Sequence, residues 1–369
     1  MSINIGAIER EMAEIWREEA SGEGEERAVT RARVLNLLVY SNVSTVGPEL
    51  DDTLFAVTEI HPARALVMSV DPDAAETSVS AAVTAACRVQ GARSKQLSCE
   101  QVTLTATGEG SKQLPSAVAQ LYAPDVPVYL WWRAGPDFDN YVWSHLADRA
   151  DRVIIDSSTA PSPREAMMRI AERLSANPDW TALTDFTWQR LTPWRSMFAG
   201  FFDLADHRPY LDRIDTITLE YVPTPGRDDI TPRAILLASW FADRLGWELD
   251  ADASSHDGDQ NRFVFRAGGR EIITRFVPVE KEGFEGLMLG ATLGVSTSPS
   301  AEFTVSRHSR NRLDAEIKFD GTTHISRTFV YKPRTEIELL STELGILGRD
   351  QLYEAAVAVA ARIGAVKEA

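Results

Sequence analysis

PVYLWWRAGPDFDNYVWSHLADRADRVIIDSS, residues 127–158, decides the fold of the first half of the chain. PVYLWW (127–132) is a continuous apolar run bounded by proline and arginine, the pattern of a strand buried on both faces. FDNYVWSHLADRA (138–150) spaces Phe138, Val142 and Leu146 along a helix. RVIIDSS (152–158) is a second apolar run that ends in polar residues. Alternation of strand and helix predicts a mixed or mostly parallel sheet flanked by helices.

The pattern extends outward. Upstream, RVLNLLVYSN (33–42) and RALVMSV (64–70) read as strands around a helix, PELDDTLFAVTEIH (48–61). SVSAAVTAACRV (78–89) and EQVTLTAT (100–107) are strand-like, the second by its β-branched residues, and SAVAQLY (116–122) is a short helix. Downstream, Ser162-Pro163-Arg164-Glu165 carries a cap, a first-position proline and a capping-box glutamate, so a helix starts there. Residues 31–176 are therefore read as an α/β domain.

Ahead of it, Ile5, Ile8, Met12, Ile15 and Trp16 form one apolar helical stripe. Residues 1–30 hold 3 basic and 8 acidic side chains, so this arm is an acidic helix and linker. It either caps its own domain or docks on a partner. Behind the α/β domain, residues 177–215 contain Trp180, Phe186, Trp188, Trp194, Phe198, Phe201, Phe202 and Tyr210. Large aromatics of this density predict a helical connector packed between two domains. From 216 a strand, a helix opened by Thr231-Pro232 and a series of alternating β-runs predict an antiparallel meander. Thr335 and Glu338 cap a C-terminal helix that Gly348 breaks, and Asp350 starts another. Residues 216–369 are read as an α+β domain with an antiparallel sheet.

The chain has 369 residues, with 38 basic and 54 acidic side chains and a formal charge of −16. That field disfavours phosphate-tracking nucleic-acid binding and anionic membranes. No apolar run reaches the 18 residues of a membrane span, and the N-terminus lacks a secretory pattern. Two cysteines, Cys87 and Cys99, make neither a disulfide framework nor a zinc set, which fits a reduced cytoplasmic setting.

No phosphate loop, dinucleotide fingerprint, nucleophile elbow or zinc-helix motif occurs. The six histidines are scattered. No catalytic residue, cofactor or metal is therefore expected. Three features remain. Asp156, Ser157 and Ser158 end a strand on the edge where α/β sheets bind ligands, though the same residues also make turns. Trp131 and Trp132 point to opposite faces, so one either stands exposed beside Arg133 as an interface anchor or both lie under helices. Residues 305–334 carry seven Lys/Arg against three acidic residues, with Arg307, Arg310 and Arg312 clustered. That is either a solvated sheet face or a site for an anion or acidic partner.

Several long strings carry a family resemblance. PDVPVYLWWRAGPDF (124–138), LADRADRVIIDSS (146–158), HPARALVMSV (61–70), DFTWQRLTPWRSMFAGFFD (185–203), LASWFADRLGW (237–247) and LLSTELGILGRDQLYEAAV (339–357) resemble the OpcA family of glucose-6-phosphate dehydrogenase assembly proteins. The resemblance implies a non-catalytic bacterial protein that binds glucose-6-phosphate dehydrogenase. It further implies promotion of the active oligomer and support of NADPH supply in the oxidative pentose phosphate pathway. Under that reading Trp131, Trp132, Arg133, Trp188, Arg190, Trp194 and Arg195 are the partner-interface candidates. Two other readings stay open: an enzyme of sugar phosphates or nucleotides working at Asp156, and a scaffold that docks through its acidic first helix.

Overall fold

The computed structural model describes residues 3–20, 34–42, 48–88, 96–136, 138–176, 181–227, 230–256, 261–346 and 348–367. In chain order the elements begin α1 (Ile5–Ala20), β1 (Leu35–Asn42), α2 (Pro48–Ile60), β2 (Ala63–Asp71), β3 (Ser78–Arg88) and β4 (Gln96–Thr107). There follow α3 (Leu114–Leu121), β5 (Val128–Trp132), α4 (Tyr141–Leu146), β6 (Arg152–Ile155), α5 (Pro163–Ala176) and β7 (Ala182–Asp185). Next come α6 (Phe186–Arg190), α7 (Thr192–Phe201), β8 (Thr216–Tyr221), α8 (Pro232–Arg244), β9 (Glu248–Ser255) and β10 (Asn261–Ala267). The chain closes with β11 (Arg270–Pro278), β12 (Met288–Val295), β13 (Ala301–Ser309), β14 (Arg312–Phe319), β15 (Thr322–Val330), α9 (Glu336–Leu344) and α10 (Gln351–Gly364).

These elements form two compact units, each discontinuous in sequence. The first takes Met1–Asp156, Asn177–Thr184 and Thr335–Arg349; the second takes Ser157–Ala176, Asp185–Arg334 and Asp350–Ala369. The contiguous boundaries at 176/177 and 215/216 differ from this division. One reason is that α5 packs against α10, 200 residues away in sequence, rather than staying with the strands before it.

In the first unit a seven-stranded sheet runs in the order β3-β4-β2-β1-β5-β6-β7. β4, β2, β1, β5 and β6 pair in parallel, and β3 adds antiparallel to β4. Strand order reverses between β1 and β5, as in doubly wound α/β folds. The central strands are buried along almost their full length, which is why they read as unbroken apolar runs. α1 packs on β3 and α3 with Ile8 and Met12 buried, and its Glu9 meets Arg64 at 2.9 Å. The acidic helix thus caps its own unit. Arg64 also pairs with the buried Glu100 at 2.8 Å. α9 opens with the Thr335–Glu338 capping box and ends at Gly345, three residues before the predicted break. Its buried Glu343 accepts from Arg152 of β6 at 3.1 Å.

The second unit holds an eight-stranded sheet, β15-β14-β13-β12-β8-β11-β10-β9. It is mixed, which corrects the antiparallel expectation: β8 and β11 pair in parallel. After β8 the chain spends α8 and the β9–β10 hairpin before β11 returns beside β8 in the same direction. Period-two alternation is the same for either neighbour direction, so the pattern does not reveal this. The aromatics of 186–210, read from sequence as a connector packed between two domains, belong to this unit and pack within it. Phe198 meets Phe241 of α8 edge-on at 4.9 Å, and Phe202 and Tyr210 lie 4.7 and 5.9 Å from Phe303 of β13. Trp180 lies outside the described residues.

Candidate functional site

α6 starts where the Asp185 carboxylate accepts from the Thr187 amide at 2.8 Å. One turn on, Trp188 is buried and its indole N–H donates to Asp350 at 2.7 Å. Asp350 also caps α10 through the Tyr353 amide, so this tryptophan fastens two helices of the second unit. The Arg195 guanidinium lies 3.5 Å from the centre of the Trp188 ring and donates to the Trp188 carbonyl at 2.8 Å. Burial pulls its pKa down to about 10, against the opposing pull of Asp350.

Leu191-Thr192-Pro193 then turns the chain into α7, with Pro193 in the first turn where a missing amide costs nothing. Trp194 is buried on the inner side of α7. Its ring centre lies 5.6 Å from the carbon of the Arg307 guanidinium, which the Tyr331 ring approaches at 5.5 Å. Arg307 is itself buried. It donates to Met288 O at 2.8 Å, to Arg310 O at 3.2 Å and to the Tyr331 hydroxyl at 2.6 Å. These groups border a cavity of about 270 Å³ whose lining includes Arg190, Arg233, Arg307, Lys332 and Arg334.

Beside it, sharing Pro193 and Tyr331, runs a wider apolar groove of about 610 Å³ between α7 and the strands β14 and β15. Met197, Leu204, Leu313, Ile325, Phe329 and Val330 line it. Leu204, Phe329 and Val330 are 56%, 42% and 80% exposed, a concentration of uncovered apolar side chains at one place. β15 is an edge strand with eight of its nine residues exposed.

The other candidates stand elsewhere. Trp131 and Trp132 are 2% and 1% exposed, so neither is a surface anchor; this corrects the reading of an exposed tryptophan. Both faces of the sheet are covered at that point. The Trp132 ring stacks on Tyr40 at 3.7 Å and meets Trp143 edge-on at 5.1 Å. Arg133 leans over Trp131 and pairs with Glu336 at 3.4 Å. The Asp156 strand end is also spent on structure. Residues Ser157–Thr159 form a 3₁₀ turn. The buried Ser157 donates its amide to Asp185 at 3.0 Å, and Arg227 donates to the carbonyls of Ser158 and Thr159. Trp188 and Trp194 are equally buried: Arg195 lies over Trp188 and Arg307 over Trp194, while Arg190 lies over Phe186. β3 and β4 pair with Ala86 opposite Cys99, but the side chains of Cys87 and Cys99 lie outside the described residues.

Sequence reasoning missed Arg233 and the groove residues Leu204, Phe329 and Val330, and it met Lys332 and Arg334 only within the basic excess of 305–334. The one local signal is the run RTFVYKPR (327–334), which places apolar and basic residues together at the end of a strand. Among the described residues no group of three His, Cys, Asp or Glu is placed to hold a metal, and no helix is long and apolar enough to cross a membrane.

Comparison with known proteins bears on most of the chain. Residues 55–172 match a family model described as the glucose-6-phosphate dehydrogenase subunit N-terminal domain, and residues 181–357 match its C-terminal domain. A protein of Synechococcus elongatus, provisionally named OxPP cycle protein OpcA, is 28% identical over 291 residues, covering 77% of this chain and 64% of the relative. A protein of Nostoc punctiforme under the same provisional name is 28% identical over 296 residues, covering 77% and 62%. The chain thus matches less than two thirds of the length of these curated relatives. Among solved structures, the transcriptional regulator Gal80p of Kluyveromyces lactis aligns with 91% of this chain and 89% of its own, at 8% identity and a TM-score of 0.48. At that score the likeness bears on neither chemistry nor ligand.

Proposed function

Given that the chain belongs to the OpcA family of glucose-6-phosphate dehydrogenase assembly proteins, we propose that it binds that dehydrogenase, favours its active oligomer and raises its activity without chemistry of its own. The observation that carries this reading is the match of both family domain models in order along the chain. The docking surface assigned to the dehydrogenase is the groove between α7 and β15. Its support is the clustering of Leu204, Phe329 and Val330 beside an unpaired strand edge, the surface type that adds a partner's strand or apolar loop.

An activator shifts an equilibrium only by its differential affinity for the two states. A tenfold gain in apparent substrate affinity requires about 1.4 kcal/mol of preference for the active form. Burial of a few apolar side chains at roughly 25 cal/mol per Å² suffices if that burial exists in the active oligomer alone.

The test measures NADPH formation by the dehydrogenase of the same organism at varied glucose 6-phosphate, with and without this chain, alongside light scattering. A rise in rate with a larger complex supports the reading; an unchanged rate with no complex refutes it. Phe329→Glu and Val330→Glu, both at exposed positions, are expected to weaken the complex at least tenfold while leaving the fold intact. Full complex formation by both variants would move the interface elsewhere.

A further inference from the structure

The cavity behind α7 differs from the rest of the molecule in charge. The chain carries 54 acidic side chains against 38 basic ones. Yet the described lining of this cavity contains five cations, Arg190, Arg233, Arg307, Lys332 and Arg334, and no carboxylate. They arrive from four separate parts of the second unit: α6, α8, β13 and the segment after β15. Convergence of like charges on one space opposes folding unless something offsets it. The structure maintains the arrangement with specific contacts. Arg307 is buried, ringed by Trp194 and Tyr331, and fixed by the Met288 and Arg310 carbonyls. Arg233 donates to Gly286 O at 2.5 Å, and Arg334 donates to the Gln189 side chain at 3.2 Å.

We infer that this cavity is a binding site for a phosphorylated small molecule. Guanidinium groups present planar forks of donors that match phosphate oxygens, and a phosphoryl group is the compact dianion that several of them can share. The volume of about 270 Å³ lies just below the usual range of small-molecule pockets, roughly 300–1,000 Å³. It suits one or two phosphoryl groups on a small sugar and is too small to enclose a dinucleotide. The Trp194 and Tyr331 rings supply apolar walls for the uncharged part of such a ligand. The cavity adjoins the apolar groove through Pro193 and Tyr331, so its occupancy would be sensed at the surface assigned to the dehydrogenase. The binding claim itself does not depend on that assignment.

The experiment is calorimetric titration of the full chain alone with inorganic phosphate, pyrophosphate and glucose 6-phosphate, using sodium chloride of matched ionic strength as control. Saturable binding of at least one phosphate compound is expected. Lys332→Gln combined with Arg334→Gln is expected to weaken it at least tenfold. Both residues are exposed and follow the last strand, so the fold survives, as circular dichroism would show. Arg190→Gln is the second variant, with a loss of similar size. Three results would overturn the inference: no saturable heat with any phosphate compound, unchanged affinity in both variants, or binding of an oligoglutamate peptide in place of the phosphates. Because no dehydrogenase is present, failure here is separate from failure of the activator reading.

Discussion

Glu343→Gln is the most informative single change in the first unit. Arg152 and Glu343 each expose 3% of their side chains, and their charged atoms lie 3.1 Å apart. Arg152 also donates to Ile346 O at 3.1 Å and to Gly348 O, so its side-chain hydrogen bonds run to the segment 343–348. The substitution keeps the shape and removes the negative charge, which leaves a buried guanidinium facing a neutral amide. Removing one partner of a buried pair typically costs about 3–5 kcal/mol. For a unit of about 180 residues, each kcal/mol moves the midpoint by roughly 2–4 °C. The expected fall in melting temperature is therefore about 6–20 °C, read by near-ultraviolet circular dichroism. The control is Arg152→Met with Glu343→Leu, which removes both charges and should recover most of the loss. A fall below about 2 °C for the single variant would refute the reasoning, because it would mean that water or another cation already screens the pair.

Two further outcomes follow from the geometry. Trp132→Ala empties a stacked site between Tyr40 and Trp143 and should cost about 3–5 kcal/mol of stability. A fully stable variant in urea titration would contradict the burial described. At the edge of the second sheet, the Arg266 side chain and the Ala253 amide hold the Asp250 carboxyl below its ordinary range. A folded-state pKa below the unfolded one stabilises above the ordinary carboxylate range and stops doing so as pH falls through the lowered value. Asp250→Asn should thus lower the melting temperature at pH 7, with a gap that closes as pH falls through the lowered carboxyl range; a gap independent of pH would count against the pairing.

Much of the first unit is legible in sequence because its strands are buried on both faces. Runs such as LNLLVYSN and ARALVMSVD leave no alternative to a covered sheet. β9 is not legible: ELDADASS has one large apolar residue, Leu249, since an edge strand needs little burial to hold its place. β7 is four residues long and hidden in an aromatic stretch whose composition suggested helix. The paired tryptophans show a different limit. Alternation correctly sends Trp131 and Trp132 to opposite faces, but whether a face is covered depends on helices elsewhere in the chain. The cationic cavity is harder still. Arg190 and Arg334 are 144 positions apart, and neither string looks exceptional alone. Half the signal was visible in the basic excess of 305–334; the other half needed the sheet to bring α6 and α8 beside it.

The division of the chain also sets a timetable for its synthesis. A ribosome delivers residues in order, and domains generally fold as their segments emerge. Here the first unit lacks Thr335–Arg349 until every strand of the second sheet has been made. The second unit in turn lacks α10 until residues 351–364 appear. Neither unit can finish before the segments after residue 334 emerge, which at roughly 5–20 residues per second is many seconds after its first strands are made. Until then the Arg152 guanidinium has no carboxylate to receive it, and the nascent chain must be kept from resolving that charge in the wrong place.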